Sequence, residues 1–236
     1  MKVDREGSAR SRAHQSAIGF AALIFVLCGL SVGLAGERNE GYRVEAIGPA
    51  TDSSVAESIR KALSPSGIRV LDGGGATVCE IWLRREIPAS AEEVSGAFFS
   101  KIGEGTFVGL AHFPKNGGDF RGQGLAAGWY TMRYAMILQD GNHLGVSPSR
   151  DFLLFSRASD DTDPGRAFPI AELYQKSRAA SGTGHPSSWS LVFPTEEKGL
   201  PRVVTNHEEH VILEMQLPTA GGPTAVGMII IGKTEG

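Results

Sequence analysis

The sequence predicts a mainly β protein, built as an antiparallel β-sandwich of about eight or nine strands with one or two short helical excursions. The chain of 236 residues contains 31 glycines and 12 prolines, more than a helical bundle carries. Several segments alternate apolar and polar residues with the period of two that is typical of strands. Clusters of turn-forming residues separate those segments at short intervals. Within the same class, an open barrel is the alternative arrangement.

The first half of the domain is predicted to contain four strands and one helix. Apolar residues recur at helical spacing over 53–63, and polar residues that can cap the start of a helix precede them. In the strand predicted at 76–84, Cys79 faces the core and Glu80 faces away from it. The strands are predicted at 42–47, 68–71, 76–84 and 106–113, and a loop too rich in glycine and charge to pack at 114–124.

The second half begins with the strongest strand signal, at 129–138, where both faces carry enough apolar residues to be partly covered. The Asp140-Gly141 pair that follows indicates a tight turn. A long excursion at about 158–186 contains a helix predicted over 169–180, and it suits a lid, an edge cover or a surface loop. The remaining strands are predicted at 151–156, 189–193, 211–217 and 226–231.

Residues 1–35 have the composition of an export signal peptide. Four basic residues precede an unbroken apolar run at 17–35, with Gly33 and Ala35 placed where a signal peptidase needs small side chains. The alternative is an uncleaved N-terminal anchor, because an apolar run of about 18 residues is near the lower limit for spanning a bilayer. We therefore predict a secreted protein, periplasmic or extracellular, with a single domain at 36–236 and with 17–35 as its only membrane contact if the signal is retained.

The charge balance argues against a nucleic-acid partner. The formal net charge is −3, and removal of residues 1–35 takes away four basic and two acidic residues to leave −5. A mildly acidic domain without a block of lysine and arginine has no electrostatic surface for a phosphate backbone.

Cysteine usage excludes an intramolecular disulfide in the processed domain. Cys79 is the only cysteine after residue 35, and it lies inside the apolar run at 76–83. A cysteine in such a run is commonly a buried, inert side chain and not a nucleophile. The core must therefore supply the stability of the domain.

The leading candidate site is the densest polar cluster between two predicted strands. It suits a binding site because loops at one end of a sandwich commonly carry function. The alternative is purely structural, with Asp140 and Asn142 forming a turn and with Arg150 and Asp151 at the solvated start of a strand. The cluster consists of Asp140, Asn142, His143, Arg150 and Asp151.

A second candidate lies on the outward side of the strand at 76–84. Glu80, Trp82 and Arg84 share that side, and Arg133 is expected to lie beside them. Such a patch around an exposed tryptophan is used by sugar-binding sandwiches. The alternative is an ion pair over an amphipathic face.

Metal and enzyme motifs give no positive prediction. The His-Glu-Glu-His run at 207–210 resembles a zincin motif, but its histidines are three apart instead of four and precede a strand, so they would point to opposite faces. Asp160, Asp161 and Asp163 lack the later glutamate of a calcium loop and suit a solvated loop better. Residues 36–236 contain no Gly-x-Ser-x-Gly elbow and no glycine-rich phosphate loop. We predict no metal and no cofactor, and assign no catalytic residue.

Three segments carry a family resemblance: Gly-Trp-Tyr-Thr-Met-Arg-Tyr at 128–134, Gln-Asp-Gly-Asn-His-Leu-Gly-Val-Ser-Pro at 139–148 and Arg-Asp-Phe-Leu-Leu at 150–154. Together they resemble a group of exported proteins from soil bacteria such as acidobacteria, a group with no assigned activity. The resemblance implies an exported β-sandwich and transfers no site residue.

These observations favour a binding module whose working end is the 140–151 region and whose partner is a ligand or an envelope protein. The alternative function is a metal-dependent or other hydrolase that uses Asp140, His143 and Asp151. A purely structural role in an envelope assembly is the third hypothesis.

Overall fold

The computed structural model describes residues 41–91, 93, 95–137 and 149–232. The predicted signal peptide at 1–35 and the predicted turn at 140–141 lie outside the described residues. Among the residues that are described, neither helix is long and apolar enough to cross a bilayer.

Twelve strands and two helices account for the regular structure of the described residues. Most of their bounds lie within one to four residues of the sequence prediction. The elements are β1 Tyr42–Ile47, α1 Glu57–Ala62, β2 Gly67–Asp72, β3 Thr77–Leu83, β4 Phe107–Phe113, β5 Gly117–Gly118, β6 Gly124–Leu125, β7 Gly128–Met136, β8 Asp151–Arg157, α2 Ile170–Ser181, β9 Ser188–Val192, β10 Arg202–Thr205, β11 Val211–Thr219 and β12 Gly222–Ile231.

Ten strands form one antiparallel sheet in the order β1-β2-β3-β4-β7-β8-β9-β12-β11-β10. The edge strands β1 and β10 contact each other, so the sheet curls into a nearly closed barrel. The predicted mainly antiparallel β class with two helices is confirmed, with more strands than expected. The additional strands are short: β10 has four residues, and β5 and β6 have two each. One continuous curled sheet corresponds to the open-barrel arrangement within that class.

The core lies on the concave side of the sheet, where alternate residues of the strands converge. Aromatic rings fill its centre, with Phe155 and Trp189 edge to face at a centroid distance of 4.5 Å. Burial of each large apolar side chain contributes roughly 1.5–3 kcal/mol to folding. Cys79 is fully buried in this core, which raises the pKa of its thiol and confirms the prediction of a buried cysteine.

Strand β7 is covered on both faces, as predicted. Its inward side chains join the core, while Thr131 and Arg133 point outward and are fully buried. Arg133 donates from Nε to Asp161 Oδ2 at 2.6 Å and from Nη2 to Asp161 Oδ1 at 2.7 Å, and Thr131 donates to the same carboxylate. The prediction that Asp161 belongs to a solvated loop is therefore wrong. Arg133 also donates to the backbone carbonyls of Gly105, Asp163 and Arg166.

Helix α2 covers the outer face of β8 and confirms the helix predicted over 169–180. Gly182, directly after its last residue, has the left-handed backbone (φ +66°) favoured at helix C-termini. Leu173 packs from the helix onto Ala135 and Leu154 of the sheet.

Part of the segment at 114–124 packs, contrary to the prediction. Its short strands β5 and β6 pair, and Asp119 between them is 1% exposed. The Asp119 carboxylate accepts the backbone N–H groups of Arg121 and Gln123, while Phe120 is buried against His210. Burial raises the pKa of Asp119 although these hydrogen bonds act in the opposite direction. A charged residue in a glycine-rich loop is thus compatible with packing when the backbone supplies its donors.

Candidate functional site

Four side chains form a row across the outer face of four adjacent strands. Arg69 on β2 lies opposite Glu80 on β3, Glu80 lies opposite His112 on β4, and His112 lies opposite Trp129 on β7. Residues directly opposite on paired strands are close enough for side-chain contact. We call Arg69, Glu80, His112 and Trp129 the cross-strand row.

Glu80 links the two halves of this row. Its Oε1 accepts from Nε of Arg69 at 2.8 Å and lies 2.7 Å from Nη2 of the same guanidinium. Its Oε2 lies 2.8 Å from Nδ1 of His112. Because a carboxylate only accepts hydrogen bonds, Nδ1 of His112 carries the proton in this pair. Both carboxylate oxygens are therefore engaged, and the imidazole orientation is fixed.

Trp129 completes the row through ring contacts. Its indole stacks on the His112 imidazole with a centroid distance of 4.1 Å and an interplanar angle of 18°. It also contacts Trp82, with ring centroids 5.5 Å apart. The pKa of the exposed Asp52 carboxyl is lowered, first by hydrogen bonds from Ser54 and further by the side-chain hydrogen bond of Trp129. The tryptophan is thus held between the imidazole of His112 on β4 and the buried indole of Trp82 on β3.

An open cleft of about 300 Å³ lies beside Trp129. Ser54 forms part of its wall, and its Oγ donates to Asp52 Oδ1 at 2.6 Å. Ser159 forms another part, and its Oγ donates to Asp160 Oδ1 at 2.9 Å. The other lining residues are Ala126, Ala127, Gly128, Trp129, Tyr130, Arg157 and Ala158.

The leading sequence candidate is only partly described by the structure. Asp140, Asn142 and His143 lie outside the described residues. Asp151 is fully buried, and its carboxylate accepts the backbone N–H groups of Phe98 at 2.9 Å and Phe99 at 3.0 Å. The hydroxyl of Tyr134 donates to the same carboxylate at 2.5 Å. Burial is the first cause of the raised Tyr134 pKa, and the Asp151 hydrogen bond is the second. Asp151 therefore holds the 98–99 segment against β8 from inside the protein.

Arg150 is half-buried and binds backbone at the same end of the barrel. Its Nη1 donates to the carbonyl of Ser95 at 3.2 Å, and its Nη2 donates to the carbonyl of Ile137 at 3.3 Å. Nearby, Phe98 and Phe193 are 46% and 62% exposed and stack with ring centroids 4.6 Å apart. In the described part of the predicted working end, hydrogen bonds to Asp151 and Arg150 therefore hold the loop at 95–99, next to an exposed pair of phenylalanine rings.

The structure places the residues of the second candidate site, Glu80, Trp82, Arg84 and Arg133, in different surroundings. Trp82 is 4% exposed beneath α1, and its indole N–H donates to the Gly48 carbonyl at 2.8 Å, so the prediction of an exposed tryptophan is wrong. Arg84 donates to the Pro164 carbonyl, and Arg133 is buried in its ion pair with Asp161. Only Glu80 takes part in the cross-strand row.

Sequence reasoning did not assign His112, Trp129, Asp52 or Arg157 to a binding site. The first two lie on strands that the sequence predicts, and their side chains point outward with the predicted alternation. What brings them together is the register between strands distant in sequence, which no local pattern specifies.

The His-Glu-Glu-His run does not form a zincin site. His207 has a side chain 90% exposed, whereas His210 is buried against Phe120. Within the described ranges, no group of three or more histidine, cysteine, aspartate or glutamate side chains is placed to hold a metal ion.

No protein-family model, no curated protein and no solved structure matches this chain significantly.

Proposed function

We propose that this chain is an exported module that binds a small ligand, and that the ligand site is the cleft beside Trp129. The observation that carries the proposal is the cleft itself: about 300 Å³ of open space with an aromatic wall and a few polar groups. Small-molecule sites are concave, begin at about this volume and combine apolar walls with a few orienting polar groups. Export is proposed from residues 1–35 alone.

The cross-strand row supports this proposal because it fixes Trp129 before any ligand arrives. Arg69 and His112 hold Glu80, His112 stacks on Trp129, and the row leaves little freedom to the indole. A preorganised side chain loses less conformational entropy on binding than a mobile one. An aromatic residue held in this way suits recognition.

Binding is favoured over hydrolysis by what surrounds His112, the histidine that stacks on Trp129. The Glu80 and His112 pair resembles the orienting half of a general-base pair. Among the described residues, however, no serine, threonine or cysteine side chain is hydrogen-bonded to the His112 ring. In the hydrolase alternative near Asp140, His143 and Asp151, the Asp151 carboxylate is fully buried and bound to three internal donors.

The proposal is tested by a thermal-shift screen of small polar metabolites on the exported protein. Ala127 lines the cleft and is exposed, so Ala127→Trp fills the space without removing a core contact. Ala89 is exposed and does not line the cleft, so Ala89→Trp is the matched control. We expect a metabolite that raises Tm of the wild type and of Ala89→Trp but not of Ala127→Trp. Equal stabilisation of all three proteins would contradict the proposal.

A further inference from the structure

The imidazole of His112 is fixed on two sides and still reached by water. Its Nδ1 lies 2.8 Å from Glu80 Oε2, and its ring stacks on Trp129 with centroids 4.1 Å apart. Its side chain is 23% exposed. Because Nδ1 carries the proton shared with Glu80, Nε2 is the atom that takes up a second proton, and histidine is the side chain whose charge changes between about pH 5 and 8. A proton taken up here places a positive charge directly against Trp129.

Two carboxylates and one guanidinium face this imidazole among the described residues. Glu80 contacts it from β3, and Arg69 on β2 binds the same carboxylate, with Nη2 2.7 Å from Oε1. Asp52 approaches from the loop before α1: the pKa of its carboxyl is lowered first by hydrogen bonds from Ser54 and, more weakly, by the charge of His112. The contact from β7 is an uncharged indole. The one cation and two anions give a net charge of −1 while the imidazole is neutral and of 0 when it is protonated.

The stack on Trp129 is compatible with both charge states of His112. A neutral imidazole packs on the indole as an aromatic ring, and a protonated one adds a cation–π attraction. The ring therefore stays in place while its charge changes. Trp129 lines the cleft and His112 does not, so the charge acts on a ligand across the indole and not by direct contact. Charges within about 10 Å interact appreciably at 0.1 M salt, and the stacked imidazole lies well inside that range.

Resting on the proposed function, we infer that His112 is a proton switch that sets the charge of the ligand site beside Trp129. While the imidazole is neutral, the net negative charge next to the indole favours a cationic ligand. When the imidazole is protonated, that charge is cancelled and the preference for a cation is lost. A cation that occupies the cleft at neutral pH is therefore held less tightly in acid.

Caesium and iodide ions probe the charge at Trp129 directly, because both quench the fluorescence of a solvent-accessible indole by collision. Trp82 and Trp189 are buried and Trp129 is half-buried, so quenching by ions reports Trp129. The ratio of the iodide to the caesium quenching constant measures the local charge and does not depend on the fluorescence lifetime. We expect this ratio in the exported protein to rise about twofold from pH 8 to pH 5.

Three variants separate His112 from the other groups that titrate over the same range. His112→Phe keeps an aromatic ring against Trp129, and His112→Gln keeps a hydrogen-bond donor for Glu80. Neither side chain takes up a proton, so the ratio should stay unchanged with pH in both variants. His207→Gln removes a histidine whose side chain is 90% exposed between β10 and β11, and it should behave like the wild type.

Two results would overturn the switch. One is a wild-type ratio that is the same at pH 8 and pH 5, and the other is a rise in His112→Phe and His112→Gln that equals the rise in the wild type. Neither result depends on the metabolite screen, because the two ions need no specific site. A screen in which Ala127→Trp responds like the wild type contradicts the proposed function instead, and the quenching ratio still decides whether His112 carries the charge.

Discussion

The imidazole of His112 lies nearly parallel to the indole of Trp129, with ring centroids 4.1 Å apart and an angle of 18° between the planes. The same imidazole is 2.8 Å from Glu80 through Nδ1. The position of the tryptophan at the cleft therefore depends on a carboxylate two strands away. This coupling leads to the first prediction.

Replacement of His112 should loosen Trp129. We expect His112→Ala to lower the free energy of unfolding by about 1 kcal/mol, the usual worth of an aromatic pair, and to shift the Trp129 emission to longer wavelength. Trp82 and Trp189 are buried, so the change in intrinsic fluorescence reports Trp129. His112→Phe keeps the stack and is the control. An unchanged emission spectrum in His112→Ala would show that the stack does not hold the indole.

The ion pair of Arg133 and Asp161 makes a strong prediction about stability. Both side chains are fully buried, so removal of one partner leaves an uncompensated charge. We expect Arg133→Met to lower the free energy of unfolding by about 3–5 kcal/mol. The double variant Arg133→Met with Asp161→Leu should recover part of that loss. Urea denaturation measures both values, and a double variant less stable than Arg133→Met would refute this account of the pair.

Asp151 should act as a structural residue. Both of its oxygens accept hydrogen bonds, so Asp151→Asn turns an amide donor toward a backbone N–H group. We expect the free energy of unfolding to fall by about 1–3 kcal/mol. Arg150→Gln, which removes two long hydrogen bonds of a half-buried side chain, should cost less. A wild-type Tm in Asp151→Asn would contradict this structural role of the carboxylate.

Stability should fall at alkaline pH because of Tyr134. Its pKa in the folded protein is raised, first by burial, whereas in the unfolded chain it is about 10. Above pH about 10 the unfolded chain releases a proton that the folded protein retains, so the stabilisation present below this pH is lost as pH rises. Unfolding free energies measured from pH 8 to 11 should decline less steeply in Tyr134→Phe. Identical slopes in the two proteins would exclude this contribution.

The exposed aromatic pair should contribute little to folding. Phe98 and Phe193 are both largely exposed, so Phe98→Ser with Phe193→Ser should lower the free energy of unfolding by about 1 kcal/mol or less. Binding of a hydrophobic fluorescent dye to the folded protein should decrease in the double variant. A loss of several kcal/mol would mean that the pair belongs to the core.

The fold class could be predicted because alternation in the strands follows directly from burial of one face. Thus Cys79 and Glu80 face opposite sides of β3, as their order in the sequence requires. The surroundings of Trp82 could not be predicted, because periodicity cannot show that α1 packs over that part of the outer face. The cross-strand row could not be predicted either, because Glu80 and His112 are 32 residues apart in the sequence and are brought together only by the register between β3 and β4.

Backbone amide chemical shifts show whether a ligand occupies the cleft beside Trp129. A metabolite identified in the thermal-shift screen is titrated into the ¹⁵N-labelled exported protein. We expect the largest changes in chemical shift at residues 126–130 and 157–159, which line the cleft. Shifts concentrated at residues 149–151 with the cleft amides unchanged would contradict it and would place the site at the opposite candidate, beside Arg150 and Asp151.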